Sequence, residues 1–359
     1  MPQLKVVMAQ LNPVVGDMEG NASLVIDAAE RAVREFGADI VVFPELMLTG
    51  YPPEDLLLRP SLDLRVERAL QRICAQVPGG CHVVVGYPRR CGAGLLNAAG
   101  VVHAGQIIAE YAKQHLPNYQ VFDEKRYFVT GDRPLIVDIA GVPVAITICE
   151  DIWESAPLLQ AAAGGARVML NLNASPYHVN KAAERLQNVQ RRVADGAMPV
   201  VYVNMVGGQD ELVFDGGSMV VDAAGVQQVL APSFEAGLYP AVLELGVESV
   251  SVARGPIAPP REEVASIYAA LVEGVRDYVN KNGFPGVVLG LSGGIDSALT
   301  LAIAVDALGA ERVQAVMMPF LYTSSMSLED AEDEARRLGV DYRVMPIEPI
   351  YDAVLATLA

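Results

Sequence analysis

Residues 141–154 read GVPVAITICEDIWE. Val142 to Ile148 is a short, β-branched apolar run, which predicts a buried strand. It ends in Cys149, Glu150 and Asp151, so a thiol and two carboxylates fall where the strand meets a turn. A nucleophile at such a turn stands at a sheet edge, where groups arriving from other strands can activate it. A free cysteine is more often a small buried apolar residue, and the surrounding chain has to decide between the two.

Outward from this stretch the pattern alternates. On its N-terminal side, strands are predicted at Leu4–Leu11, Asp39–Phe43 (DIVVF) and His82–Tyr87 (HVVVGY), with helices at Asn21–Phe36 and Leu56–Val77. Asn97–Lys113 reads as a hairpin or meander, and Leu135–Ile139 pairs with Val142–Ile148 across Ala140-Gly141. On its C-terminal side come a helix at Ser155–Ala163, a strand at Val168–Leu172, a helix near Lys181–Ala194 and a strand at Val200–Met205. Short strands at Ser218–Val221, Val226–Leu230 and Ala241–Leu245 close the segment. Strands that are partly adjacent and partly helix-linked predict mixed sheets with helices outside, an α/β layered sandwich. Residues 1–246 form the first expected domain, and 247–261, with Pro256, Pro259 and Pro260, the linker.

From residue 262 to 359 helix and strand alternate strictly, which predicts part of a doubly wound parallel α/β sheet. Strands are expected at Val287–Leu291, Val313–Met318 and Tyr342–Pro346, and helices at Glu262–Asn280, Asp296–Leu308, Leu328–Leu338 and up to Thr357. The stretch VVLGLSGGIDSALT (287–300) carries a strand into Ser292-Gly293-Gly294, and Asp296-Ser297 opens a helix. Glycines let backbone approach an anion, and a helix start offers unpaired amides. The lysine of a P-loop is missing.

Composition narrows the function. Apolar residues make up 52% of the 359, enough for real cores and too many for disorder. Neither a membrane-span run nor a signal-peptide layout is present in the sequence. The four cysteines, Cys74, Cys81, Cys91 and Cys149, have no zinc spacing, and a reducing cytoplasm fits them best. A net charge of −17 argues against nucleic-acid binding. From Glu262 onward 6 Lys plus Arg face 15 Asp plus Glu, so phosphates would have to be held by local amides and a metal.

Three strand ends place reactive groups: Glu45 after VVFP, Lys113 after IIAEYA and Cys149 after AITI. A carboxylate can take the thiol proton, and an ammonium can stabilise both a thiolate and an oxyanion. Singly, Glu45 reads as a helix-entry carboxylate and Lys113 as a solvated hairpin end; together they read as convergent strand ends of a site.

The stretches VVFPELMLTGYPPEDLL (41–57), YAKQHLPNYQVFDEKRYF (111–128), ITICEDIW (146–153) and LNASPYHVNK (172–181) resemble the nitrilase superfamily. Within it they look most like the glutamine-hydrolysing domain of glutamine-dependent NAD⁺ synthetases, from about Leu4 to Leu245. The resemblance implies an αββα sandwich in which Cys149 forms a γ-glutamyl thioester, Lys113 stabilises the oxyanion and Glu45 is general base and acid, with no cofactor for this step. It also implies an L-glutamine pocket at Tyr119, Ser175 and Lys181, with Glu150 facing the amine. Glu124 is either the further carboxylate of nitrilase-like sites or a salt-bridge partner of Arg126 or Lys125. His82, His103, His115 and His178 have no part in these roles and read as structural or surface residues; Asp151 has no assigned role.

SGGxDS resembles the pyrophosphate loop of the N-type ATP pyrophosphatases, of the adenine nucleotide alpha hydrolase-like fold. That resemblance places ATP on Gly290, Leu291, Ser292, Gly293, Gly294, Ile295, Asp296 and Ser297, with Mg²⁺ on Asp296. MMPFLYTSSMSLEDA (317–331) is similar to the adenosine- and phosphate-side loop of that family. Joined, the halves imply a carbon–nitrogen ligase that adenylates deamido-NAD⁺ with ATP and amidates it with glutamine-derived ammonia. The family further implies an ammonia tunnel and a homo-oligomer. Its members continue beyond residue 359, so the expectation is that this stretch of chain hydrolyses glutamine without making NAD⁺. The rival readings are a nitrilase-type amidase or carbamoylase acting on another amide, against which the SGGIDS segment argues, and a non-catalytic nucleotide-binding module, against which Glu45, Lys113 and Cys149 argue.

Overall fold

The computed structural model describes residues 2–247 and 249–358. The chain divides into two units, at Glu262/Glu263. In the first, β1 (Gln3–Gln10), α1 (Met18–Phe36), β2 (Ile40–Val42), α2 (Leu62–Gln76), β3 (His82–Cys91), β4 (Gly94–His103) and β5 (Gln106–Ala112) come first. Then follow β6 (Leu135–Ile139), β7 (Val142–Ile148), α3 (Ser155–Ala163), β8 (Val168–Asn173), α4 (Lys181–Gly196) and β9 (Val200–Asn204). The unit ends with β10 (Val206–Gln209), β11 (Leu212–Asp215), β12 (Met219–Val221), β13 (Gln227–Leu230), β14 (Gly237–Leu245) and β15 (Val250–Val252).

Two mixed sheets result, in the orders β15-β14-β1-β2-β3-β4-β5 and β13-β12-β9-β8-β7-β6. Strands β1, β2 and β3 run parallel, as do β7, β8 and β9. Parallel neighbours need crossovers, and α1 to α4 supply them. The two-residue period of a strand then sorts every side chain. Leu4, Val6 and Met8 of β1, with Val142, Val144 and Ile146 of β7, fill the core between the sheets. Val7 and Ala9 face α1 and α2, whereas Met169, Val200 and Tyr202 face α3 and α4. Because both faces of the central strands are buried over most of their length, their sequences are mainly apolar rather than alternating, with buried polar exceptions such as Gln10, Thr147 and Asn171. The layers are helix, sheet, sheet, helix, as the sequence predicts.

Three local features depart from the sequence reading. Residues 206–215 form the hairpin of β10 and β11, hidden because Gly207-Gly208 reads as a break. Gly207 has φ +119, and a Cβ there would lie 2.1 Å from the Asn12 side chain. Within 247–261, read as a linker, Val250–Val252 is a strand antiparallel to β14, and the proline-rich part beyond it is irregular. Helix α1 begins three residues before the expected Asn21, because Asp17 caps it by accepting from Gly20 N.

In the second unit α5 (Glu263–Lys281), β16 (Val287–Gly290), α6 (Ile295–Leu308), β17 (Val313–Met317), α7 (Ser325–Leu338), β18 (Asp341–Val344) and α8 (Glu348–Leu358) surround a parallel sheet of order β16-β17-β18. Leu301, Ala304 and Leu308 of α6 pack with Val313 and Ala315 of β17 and with Ala331 and Ala335 of α7. Among the described residues no helix is long and apolar enough to cross a membrane.

Where β3 begins and β4 ends, the rings of His82 and His103 stack 3.9 Å apart and nearly parallel. Burial, and then His103, hold His82 below the usual histidine range, against opposing pulls from Asp39 and Asp138. The unfolded chain therefore binds the proton more readily, so stability is full above about pH 6.5. It falls as pH drops below that value and levels off under the folded-state pKa. Chemical denaturation between pH 7.5 and 5 should show this slope in the wild type and a flatter one in His82→Gln.

Candidate active site

Cys149 opens a short 3₁₀ turn, Cys149–Ile152, directly after β7. Its φ is +44, in the left-handed region that side chains with a Cβ avoid. Strain of this kind gathers at functional sites. The turn holds the thiol at the mouth of the sheet, buried and 4% exposed. Burial pushes the thiol well above the ordinary cysteine range, Glu45 adds to that push, and Lys113 opposes it.

Glu45, Lys113 and Cys149 come from the ends of β2, β5 and β7, so both sheets contribute. The Lys113 ammonium is wholly buried and donates to Glu45 Oε1 at 2.6 Å and to both Glu124 oxygens at 2.9 Å. Burial alone would drive it toward neutrality, but Glu124 and Glu45 outweigh burial and hold it well above the usual lysine range. Glu124, from the turn Glu124–Arg126, is pushed up by burial, and by Glu45 against the pull of Lys113. Of the partners open for Glu124, the salt bridge to Arg126 is not formed: Glu124 pairs with Lys113, and Arg126 with Asp55.

The remaining contacts fix these groups in place. Glu45 Oε1 also accepts from Asn97 Nδ2 at 2.7 Å, and Oε2 from Ala174 N at 3.2 Å. Tyr51 OH donates to Glu124 at 3.0 Å. The Lys113 backbone is pinned on both sides, its N–H to Asn97 O at 2.9 Å and its carbonyl by Gly131 N at 2.7 Å. Beneath Glu45, the backbone of β3 bonds the loop through Val84 O to Phe43 N and Gly86 O to Leu48 N. A Cβ on Gly86 would lie 2.5 Å from Leu46 N and 2.8 Å from Pro44 O. Only glycine permits this approach.

Each of the four residues expected to hold substrate has a side-chain neighbour of its own. Tyr119 OH donates to both oxygens of Glu150, at 3.1 and 2.9 Å. Ser175 follows Ala174, the donor to Glu45, and its Oγ accepts from the buried Arg185 Nε at 3.1 Å. Arg185 is itself paired with Asp215 at 2.7 Å. Lys181, the first residue of α4, places its ammonium 4.4 Å over the ring of Trp153, the single tryptophan of the chain. The sequence reading passed over Trp153, Tyr51, Asn97 and Arg185. Trp153 and Tyr51 both lie inside the quoted motifs; Asn97 and Arg185 carry no local signal.

In the second unit Gly290 ends β16 and Gly294 precedes α6. Gly293 has φ +78, and a Cβ there would meet Ser327 O at 2.2 Å. Ser292 N donates to Ser297 Oγ at 3.1 Å, the two hydroxyls lie 3.0 Å apart, and Ser297 Oγ donates to Gly294 O at 2.9 Å. The serines thus brace the loop from within. Leu291 is a core residue whose amide bonds Val316 O, so it offers the loop no donor. Ile295 and Asp296 are exposed on the first turn of α6. Among the described residues no group of three His, Cys, Asp or Glu side chains could hold a metal.

A four-layer sandwich with a cysteine, a lysine and a glutamate at converging strand ends is the architecture of a carbon–nitrogen hydrolase, and residues 5–248 match that family. Residues 267–359 match the NAD synthase family. Over all 359 residues the chain is 43% identical to the glutamine-dependent NAD(+) synthetase of Acinetobacter baylyi, spanning 65% of that protein's length. The structure of a glutamine-dependent NAD⁺ synthetase from Acinetobacter baumannii in complex with ADP superimposes with a TM-score of 0.95 at 43% identity, covering 99% of this chain and 67% of that one. An amidase from Nesterenkonia sp. AN1, solved after acrylamide addition at its active-site cysteine, is 27% identical with a TM-score of 0.59 over 68% of this chain and 94% of its own. The chain belongs to the family of glutamine-dependent NAD⁺ synthetases.

Gly86→Ala must push the Glu45 loop off β3. It should cost about 1–3 kcal/mol of stability and lower amide hydrolysis at least tenfold, as read by thermal melting and by steady-state rates.

Proposed function

We propose that the first unit hydrolyses the side-chain amide of L-glutamine through a thioester on Cys149, and that the second binds ATP to activate deamido-NAD⁺ for amidation to NAD⁺. The observation that carries the first half is geometric: a buried thiol, a buried carboxylate and a buried ammonium stand at the ends of β7, β2 and β5, with Lys113 Nζ donating to Glu45 Oε1 at 2.6 Å. Burial raises the thiol above the ordinary cysteine range, which favours loss of the proton as sulfur attacks. Glu45 takes it while Sγ bonds to the amide carbon, and Lys113 Nζ stabilises the oxyanion. Collapse expels ammonia, protonated on nitrogen by Glu45 as the C–N bond breaks. Water then attacks the thioester, giving its proton to Glu45, and a second collapse releases glutamate and returns the proton to sulfur. Glu124 keeps Lys113 charged and aimed throughout.

Choice of substrate follows from opposite charges at the mouth. Glu150 suits an α-ammonium, and Lys181, aided by the Ser175 hydroxyl, suits an α-carboxylate. In the second unit, Gly293 and Gly294 open the loop for close approach of phosphates, with the amides at the start of α6 as donors. Asp296 is exposed on the first turn of α6, which fits Mg²⁺, an ion that takes one or two carboxylates and keeps phosphate and water ligands. The bound ion would neutralise charge on the polyphosphate. The reading includes a cytoplasmic location, supported by four free cysteines, and self-association.

Ammonia release from glutamine should vanish in Cys149→Ala and fall by about 10²–10³ in Lys113→Met. Comparable rates on asparagine or simple amides would reduce the first unit to a general amidase. Binding is separable from chemistry: glutamine added to Cys149→Ala should change the emission of Trp153, and Lys181→Met should weaken that response. Thermal stabilisation by Mg²⁺–ATP should be present in the wild type and absent in Gly293→Ala.

A further inference from the structure

Asp151 lies two residues after Cys149, wholly buried, and its hydrogen-bond partners are neutral donors. Its Oδ1 accepts from Gln114 N at 3.0 Å and His115 N at 2.9 Å. Its Oδ2 accepts from Ile148 N at 3.0 Å and Tyr111 OH at 2.8 Å. Three of those donors flank Lys113 in sequence, and the fourth immediately precedes Cys149. One carboxylate therefore ties the segment that carries the lysine, at the end of one sheet, to the turn that carries the thiol, at the end of the other.

We propose that Asp151 is a positioning residue for amide hydrolysis, setting the placement of Lys113 relative to Cys149. The proposal rests on the reading of those two residues as oxyanion stabiliser and nucleophile. Ionised carboxylates are strictly acceptors, and here four donors converge on two oxygens. An asparagine of the same shape would turn its amide group toward donors, losing one pair of bonds and leaving buried amides unmet. The segment bearing Lys113 would then be tethered from one side only. Misplacement by about 1 Å can cost 10²-fold in rate, while the substrate pocket at Tyr119, Glu150 and Lys181 keeps its own contacts.

The test is Asp151→Asn in the full chain, alone and with Lys113→Met. Alone, it should lower kcat for ammonia release from glutamine by about 10–100-fold, with KM within about threefold. The second readout is the rate at which a glutamine-like chloromethyl ketone labels Cys149. Asp151→Asn should slow labelling in the wild type and add less than about twofold once Lys113 is already methionine, as coupled residues behave. Tyr111→Phe, which removes one of four donors and keeps the ring, should give a smaller kcat loss in a folded protein. That variant serves if Asp151→Asn does not fold. An unchanged kcat, or equal slowing in both backgrounds, overturns the positioning role. If Lys113→Met and Cys149→Ala themselves leave ammonia release intact, it is the underlying catalytic reading that fails.

Discussion

A single ammonium held dry between two carboxylates is the constraint on which the first unit depends. Removing an ion from water costs several kcal/mol, and attraction offsets that only when geometry and hydrogen bonding are complete. Here Lys113 meets Glu45 and Glu124 at 2.6 and 2.9 Å. The two carboxylates then draw further donors from Asn97, Ala174 and Tyr51. Burial first, and then Glu45 against the pull of Lys113, pushes the Cys149 thiol well above the ordinary cysteine range. In the proposed mechanism, the electrostatics that secure the lysine thus favour loss of the cysteine proton during attack over a preformed thiolate.

Such a cluster tolerates little movement, and the fold spends its irregular features on holding it still. Glu45 is fixed by the close passage of β3 at Gly86, and Lys113 by Asn97 and Gly131, where a Cβ would lie 2.2 Å from Ala112 O. Left-handed backbone recurs at Leu46 and Cys149, next to or at the reactive residues. These positions cost stability locally. The packed layers on both sides of each sheet supply the rigidity that maintains them.

The layers were legible in sequence because each central strand is apolar on both faces, so runs such as Val142–Ile148 and Val168–Leu172 stand out without alternation. The ends of two such runs located Glu45 and Cys149, and the end of the edge strand β5 located Lys113. Other parts of the site left no such trace. Glu124 reaches Lys113 through a turn that a separation of eleven residues does not encode. Arg185 sits on α4 among charged neighbours and reads as a solvated helix position, yet it is 2% exposed. The left-handed φ of Cys149 is imposed by tertiary packing, since residue type alone would disfavour it. Strand β15 was masked by its proline-rich surroundings, and the β10–β11 hairpin by its paired glycines.

On the proposed function, the two units recognise anions by opposite means. In the first, a charge-bearing side chain is buried and its partners are built around it, so recognition is set before substrate arrives. In the second, acidic residues outnumber basic ones 15 to 6 from Glu262 onward, and a field of that sign repels a polyphosphate at long range. Affinity there has to come from contacts too short for the net field to oppose: backbone amides at a helix start and an ion carried with the nucleotide. This explains why the loop is built from glycines and internally bonded serines instead of lysines. A loop whose donors are backbone atoms works only if its shape is fixed. The Ser292–Ser297 bracing and the approach of Gly293 to the Ser327 carbonyl are the means by which this sequence fixes it.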